Sequence, residues 1–274
     1  MKQVRLVHTM GTVVSLDVRT PTGPDAFDEA ADAVSRRLQE IDQQFSAWRP
    51  DSWVSRLISG VVAPVDCLAE VQEVVAIAMD MTELTDGYFS PFWRRLPYGD
   101  PGPDPTGLVK GWAAQEASDV LLAHGLPDHV VNAAGDVVVS GSSDPGHPKC
   151  PWRVGISDPH RADYLAGVVD LDQSASRWAV ATSGTAELGT HVGDPHSGRF
   201  PRSVSSATVV ARVHGTDSTA AVTDACATAL VAAGDEAPAL LRTLTGRGIE
   251  ALLIRSDDQV CDPRQLLVPM SGTL

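Results

Sequence analysis

HVVNAAGDVVVSG, residues 129–141, is the stretch on which the fold turns. Two β-branched runs flank Ala133–Asp136, and Gly135 supplies the tight turn of a hairpin. Outward from it, MGTVVSLDVRT (10–20) sets Val13, Ser15 and Asp17 against Val14, Leu16 and Val18 with a period of two. WRVGIS, AGVVDLD, RWAVAT, VSSATVVARV and IEALLIR add five more strand-like runs. Between them, Phe27, Ala31, Val34, Leu38 and Ile41 recur at helical spacing after Pro24. FSAWRPDSWVSRL reads as a loop leading into a short helix. A helix with Leu68, Val71, Val75, Ala78 and Met81 on one face follows, with Asp66 as its expected N-cap and Gly87 as its stop. Residues 97–107 read as a turn-rich loop. Helices are also expected from about Gly111 to His124, from Ser218 to Ala233 and from Ala237 to Thr245. Hairpins mixed with helices, without strict βαβ alternation, predict an α+β fold. One domain over residues 1–274 is expected, with a mixed or antiparallel sheet and packed helices.

The 274 residues, 43% hydrophobic and 20% charged, suit a packed globular core. A formal net charge of −14 gives no general basic surface for nucleic acid or an anionic membrane. A phosphate-bearing ligand would then depend on backbone N–H groups, a metal ion or a few placed cations. Cys67, Cys150, Cys226 and Cys261 form no CxxC pair and read as buried thiols. The N-terminus passes straight into strand-like alternation with no apolar leader or lipobox, and no run is long enough to span a membrane. The expectation is a soluble chain, cytoplasmic as it stands and extracytoplasmic if a leader has been trimmed.

Several constellations could carry chemistry. Asp224 and Thr228 lie at i and i+4 in the strongest helix, so a carboxylate and a hydroxyl converge, a pair that suits Mg²⁺; a solvated helix face is the plain alternative. In VATSGTAELGTHVGDPHSGRF (180–200), Thr182, Ser183 and Gly184 end a strand and can present N–H groups and hydroxyls, while His191, Asp194 and His196 follow in a loop. An ordinary hairpin loop is the alternative there. Lys110, in GLVKGWA, stands near a helix start, where its charge opposes the macrodipole and a phosphate or carboxylate partner would explain it; a surface lysine is the alternative. Asn132–Asp136 reads first as a turn. Trp48, Tyr88 and Phe89 are loop rings that stack on a flat ligand or pack half-buried.

Taken in order, MGT, FSAWRPDSWVSRL, DGYFSP, GLVKGWA, NAAGD, ATSG with HVGDPHSG, and DACATAL resemble the motifs of the FAD:protein FMN transferases, the ApbE family, from Met10 to about Gly234. The resemblance implies Mg²⁺-dependent transfer of FMN from FAD to a threonine of an acceptor flavoprotein, with release of AMP. Alternatives are an FAD pyrophosphatase that uses water, and a non-catalytic FAD-binding protein. It further implies a metal held by Asp224, Thr228 and the Gly107 carbonyl. Flavin or adenine contacts would come from Met10, Thr12, Ser46 and Trp48. A dinucleotide site would be lined by Lys110, Gly135, Asp136, Thr182, Ser183, Gly184, His191 and Asp194, with Asp224, Lys110 and His191 nearest the chemistry. The chain departs from the family pattern at Ala134, where a second glycine is usual, and at Ser90, where an aspartate is usual.

Overall fold

The hairpin read from residues 129–141 takes its place inside one large sheet. The computed structural model describes residues 2–147, 150–172, 176–184, 192–215 and 217–268. The chain opens with β1 (Gln3–Thr9) and β2 (Thr12–Val18), then α1 (Pro24–Phe45), α2 (Trp53–Ile58), α3 (Ala69–Leu84), a short α4 (Arg95–Tyr98) and α5 (Thr106–Ala123). The quoted hairpin is β3 (His129–Ala133) and β4 (Asp136–Ser140). After it come β5 (Trp152–Ser157), β6 (Leu165–Leu171), β7 (Arg177–Gly184) and β8 (Val204–Arg212), then α6 (Thr219–Ala232), α7 (Ala237–Gly246), β9 (Glu250–Arg255), β10 (Val260–Cys261) and β11 (Leu267–Val268). Among the described residues the strands form an eight-stranded sheet, β1-β2-β3-β4-β7-β8-β9-β10, and a three-stranded sheet, β11-β6-β5. Every pairing is antiparallel.

The period-two pattern of β2 sorts its residues by layer. Val14, Leu16 and Val18 are fully buried under the helices, and Val13 is exposed on the other face. β4 is buried at every residue because both its faces are covered. Val138 joins the helical core, while Val137 and Val139 pack with Trp152, Ile156 and Trp178 beneath the small sheet. That double cover explains an unbroken Val-Val-Val run in an antiparallel strand. α6 is apolar all round and lies in the core, where Leu230 and Val231 are buried. Each large apolar side chain buried this way contributes about 1.5–3 kcal/mol, which offsets the cost of carrying Asp224 inside. α5 and α6 approach closely at Gly111. A Cβ there would stand 2.2 Å from the Ala220 carbonyl oxygen and 2.8 Å from Asp224 Cβ.

Several expectations shift. α5 begins at Thr106 rather than near Gly111, because Asp104 Oδ1 accepts from the Thr106 N–H at 3.0 Å and from its hydroxyl at 2.6 Å. Lys110 is therefore a full turn inside the helix, and the macrodipole argument loses its force there. Asp66 does not cap α3. It ends a 3₁₀ turn, Pro64–Asp66, and Leu68, half exposed, takes the N-cap place without a side-chain bond. Cys67 and Cys226 are buried, Cys150 and Cys261 only partly so. The separate three-stranded sheet and the short β10 and β11 had no counterpart in the sequence reading.

Candidate functional site

Strand register gathers the scattered motifs at one end of the large sheet. Thr9 pairs with Thr12 across the turn Met10–Gly11, and Val14 pairs with Ala133, so the first turn lies beside the β3–β4 turn. Val137 pairs with Val180, which carries Thr182, Ser183 and Gly184 to the same end, where Gly184 meets Ser206. The helices arrive from the inner face. Lys110 Nζ lies 2.6 Å from Asp136 Oδ2. Thr228 Oγ1 shares a 3.1 Å hydrogen bond with Ser183 Oγ and donates to the Gly107 carbonyl at 3.4 Å. α1 runs antiparallel to α5, since Arg37 meets Glu116 at 3.1 Å and Phe45 packs its ring 5.1 Å from Trp112. Ser46 and Trp48, just past α1, thus belong to the same end.

The electrostatics centre on Asp224. It is 2% exposed, which removes the solvated-face alternative. Its Oδ2 accepts from the Gly111 N–H at 3.0 Å. Burial, and then the neighbouring Asp136 carboxylate, push its pKa up to about 8, against the pull of Lys110 and the Gly111 N–H. Two carboxylates, Asp136 and Asp224, and one ammonium share this end, and the ammonium bonds Asp136. Among the described residues no group of three or more His, Cys, Asp or Glu side chains gathers to hold a metal. A cation here would need hydroxyl and carbonyl ligands as well.

Beside this end opens a cleft of about 750 Å³ between the outer face of the large sheet and the small sheet. β2 lines it with Val13, Ser15 and Asp17, β3 with Val130 and Asn132, and β4 with Val137 and Val139. These alternate, as a strand's face must. β5 lines it with every residue from Trp152 to Ser157. Lys110, Gly135, Thr182, Ser183 and Gly184 close the end where the motifs gather.

The remaining expected residues fall elsewhere. Met10 packs half-buried on the helical core at φ 50°, and Thr12 begins β2. Ser46 Oγ accepts from the Trp48 N–H at 3.3 Å, and the Trp48 side chain is 94% exposed. Asp194 does not line the cleft. Its carboxylate accepts from the His196 N–H at 2.9 Å and the Ser197 hydroxyl at 2.5 Å, closing its own turn. His196 packs on Tyr88, Phe89 is buried in the core, and Ser90 accepts from the Phe92 N–H, so this segment serves packing. His191 lies outside the described residues. Sequence reasoning missed Gly111, although a glycine inside a helical run is a signal of close approach. It also missed the role of WRVGIS, which carries no local sign of which sheet it joins.

Comparison with known proteins gives a consistent result. A family model described as the ApbE family matches residues 10–97 and 103–253. An FAD:protein FMN transferase of Rhodobacter capsulatus is 35% identical over 158 residues, 55% of this chain and 27% of that protein, so the match takes in about a quarter of that relative. An FAD:protein FMN transferase of Vibrio cholerae is 23% identical over 280 aligned positions, covering 83% of this chain and 80% of that protein. The fold matches the ApbE protein of Thermotoga maritima with a TM-score of 0.78 at 22% identity, over 96% of this chain and 97% of that one. It matches the flavin transferase ApbE of Vibrio cholerae with a TM-score of 0.77 at 20% identity, over 97% and 99%.

Proposed function

The chain belongs to the ApbE family, and on that footing we propose that it transfers the FMN part of FAD to a threonine hydroxyl of an acceptor protein, with Mg²⁺, and releases AMP. The names of the two transferase relatives support the reaction class. The observation that carries the reading is the buried Asp224 carboxylate, pushed up to about 8, one helical turn from the Thr228 hydroxyl, itself within 3.4 Å of the Gly107 carbonyl. The donor set fits Mg²⁺: hard oxygens only, with a carboxylate that burial disfavours unless a cation ionises it. Asp224, Thr228 and the Gly107 carbonyl would hold the ion, which when bound supplies neutralisation of the phosphate charge and of the departing AMP oxygen.

The chain's own residues position and screen. Asp136 holds the Lys110 ammonium at the mouth of the cleft, where it faces a pyrophosphate. The Thr182 and Ser183 hydroxyls line the cleft beside it, with Gly184, while the Gly135 N–H is taken by Asn132 Oδ1 at 2.9 Å. Met10, Thr12, Ser46 and the exposed Trp48 flank the α1 side and serve the ring systems, while Asp194 closes its own turn and bears on the dinucleotide only through it. The acceptor hydroxyl oxygen bonds to the FMN phosphorus, the phosphorus–oxygen bond to AMP breaks, and the hydroxyl proton passes to a base, for which His191 is the candidate. Incubation with FAD, with and without Mg²⁺, followed by chromatography of AMP and FMN, tests the reading. AMP that forms only with Mg²⁺ is expected. FAD bound and never cleaved, whatever protein is added, would leave a flavin-binding protein instead.

A further inference from the structure

A strand that shows its face to a cavity contributes alternate residues, as β2, β3 and β4 do. β5 contributes Trp152 to Ser157 without a gap, so it presents its edge to the cleft. Among the described residues β5 is the last strand of its sheet and pairs only with β6. Among the described residues the backbone groups of 152–157 make no hydrogen bond outside that ladder. A row of N–H and C=O groups pointing into a slot is a template for another strand. The slot runs along the six residues of β5, about 20 Å. At its far end the Trp152 indole donates to the Ser140 and Gly141 carbonyls at 3.0 Å. At the Ser157 end it meets Lys110, Ser183 and Gly184, where the reaction is placed.

Resting on the transferase reading above, we infer that the free edge of β5 is the acceptor rail: an extended segment of the acceptor protein pairs with β5 as an added strand and delivers its hydroxyl to the Lys110–Gly184 end. A flavin ring cannot satisfy alternating donors and acceptors at strand spacing, and an extended backbone does. The cations that line the slot are each ion-paired, Arg19 with Asp17 at 2.7 Å, Lys110 with Asp136 at 2.6 Å and Arg153 with Asp170 at 2.8 Å, so the backbone edge rather than charge selects an extended segment.

Proline tests the edge directly, because adjacent residues of a strand aim their N–H groups to opposite sides. Of Arg153→Pro and Val154→Pro, the one whose N–H faces β6 lowers Tm, and the other keeps it, with Arg153→Gln as the charge control. The probe is FAD with Mg²⁺ and blocked peptides of roughly nine residues that carry a central threonine and acidic, neutral or basic flanks. Wild type should flavinylate these peptides whatever the charge of their flanks. The Tm-retaining proline variant should lose transfer about tenfold or more, while its FAD affinity and its release of AMP to water stay at wild-type values. Undiminished transfer in that variant would overturn the rail. So would a parallel loss of FAD affinity, which would assign the slot to the dinucleotide. A variant that only turns a dimer into a monomer would assign the edge to a second copy. AMP release without any labelled peptide would also end the proposal and spare the site, whereas no AMP from wild type would remove the transferase reading itself.

Discussion

The two ends of the eight-stranded sheet each bury an ionisable group and treat it in opposite ways. At the far end His129 has no exposed surface, yet both ring nitrogens are engaged: Nδ1 with the Leu126 carbonyl at 2.6 Å and Nε2 with Ser118 Oγ at 2.8 Å. Arg177 donates to Ser118 Oγ at 3.1 Å and pairs with Asp119 at 2.7 Å. Burial above all, helped by the Arg177 charge, holds the imidazole down to about 4, so it is neutral and its bonds are complete. At the near end Asp224 is just as deeply buried but faces a second carboxylate, and the Gly111 N–H is the hydrogen bond it has. Desolvation discharges both groups. The far end closes its own network, while the near end sets two carboxylates together, and perturbation of that kind is what marks a functional site; on the proposed reading a cation completes it.

The sharpest way to break this contrast is Asp224→Asn. The amide keeps the shape and can still accept from Gly111, but it cannot supply a charge to a metal. Mg²⁺-dependent AMP release should fall by on the order of 10²–10³-fold. Stability without metal should hold or rise, since a costly buried acid has gone. Wild type should gain about 2.7 kcal/mol at a Mg²⁺ concentration one hundred times Kd, and the variant nothing, by thermal unfolding with and without the ion. A variant that keeps both the activity and the Mg²⁺ response would make Asp224 as self-contained as His129.

The near end was more legible in the sequence than the far end, and the reason is physical. Local signals carried the hairpin turns, the amphipathic face of α1 and the Asp224–Thr228 pair, because each lies within one element. What stayed hidden depends on distant partners. Lys110 meets Asp136 only through the register that brings β4 under α5, and His129 meets Ser118 and Arg177 across three elements. The burial of Asp224 could not be read from α6, because a helix that is apolar all round has no face to point with. The early start of α5 rests on Asp104, which the periodicity of the helix does not include. The free edge of β5 follows from a pairing with β6 rather than with the large sheet, and WRVGIS would read alike in either.

The far end can be opened by acid. Burial holds the folded His129 imidazole at about 4, below its ordinary value of 6.5. Between these values the unfolded chain binds the proton that the folded one refuses, so stability rises with pH. The contribution is complete above pH 6.5 and is lost as pH falls towards 4, at about 1.4 kcal/mol per unit, or about 3 kcal/mol in all. Urea unfolding of wild type and His129→Gln across that window should show this extra slope in wild type alone. Parallel curves would mean that the network at the far end tolerates a charge.

The smallest effect separates the turns. At the near end Ala134, with φ 51°, precedes Gly135 in the β3–β4 turn, so a residue with a Cβ occupies the left-handed region. At the far end the corresponding backbone demand is met by Gly141 with φ 62°, where a Cβ would lie 2.3 Å from Asp128 Oδ1 and 2.7 Å from the Pro127 carbonyl. Ala134 lines the open cleft, so its methyl group has room and costs only backbone strain, about 1–2 kcal/mol. Ala134→Gly should therefore raise stability by about 1 kcal/mol, a Tm gain of about 2–4 °C. Gly141→Ala should lower it by more, because strain and collision add there. If both changes move Tm equally, the strain at Ala134 is not stored in the turn, and the near end is no more open than the far one.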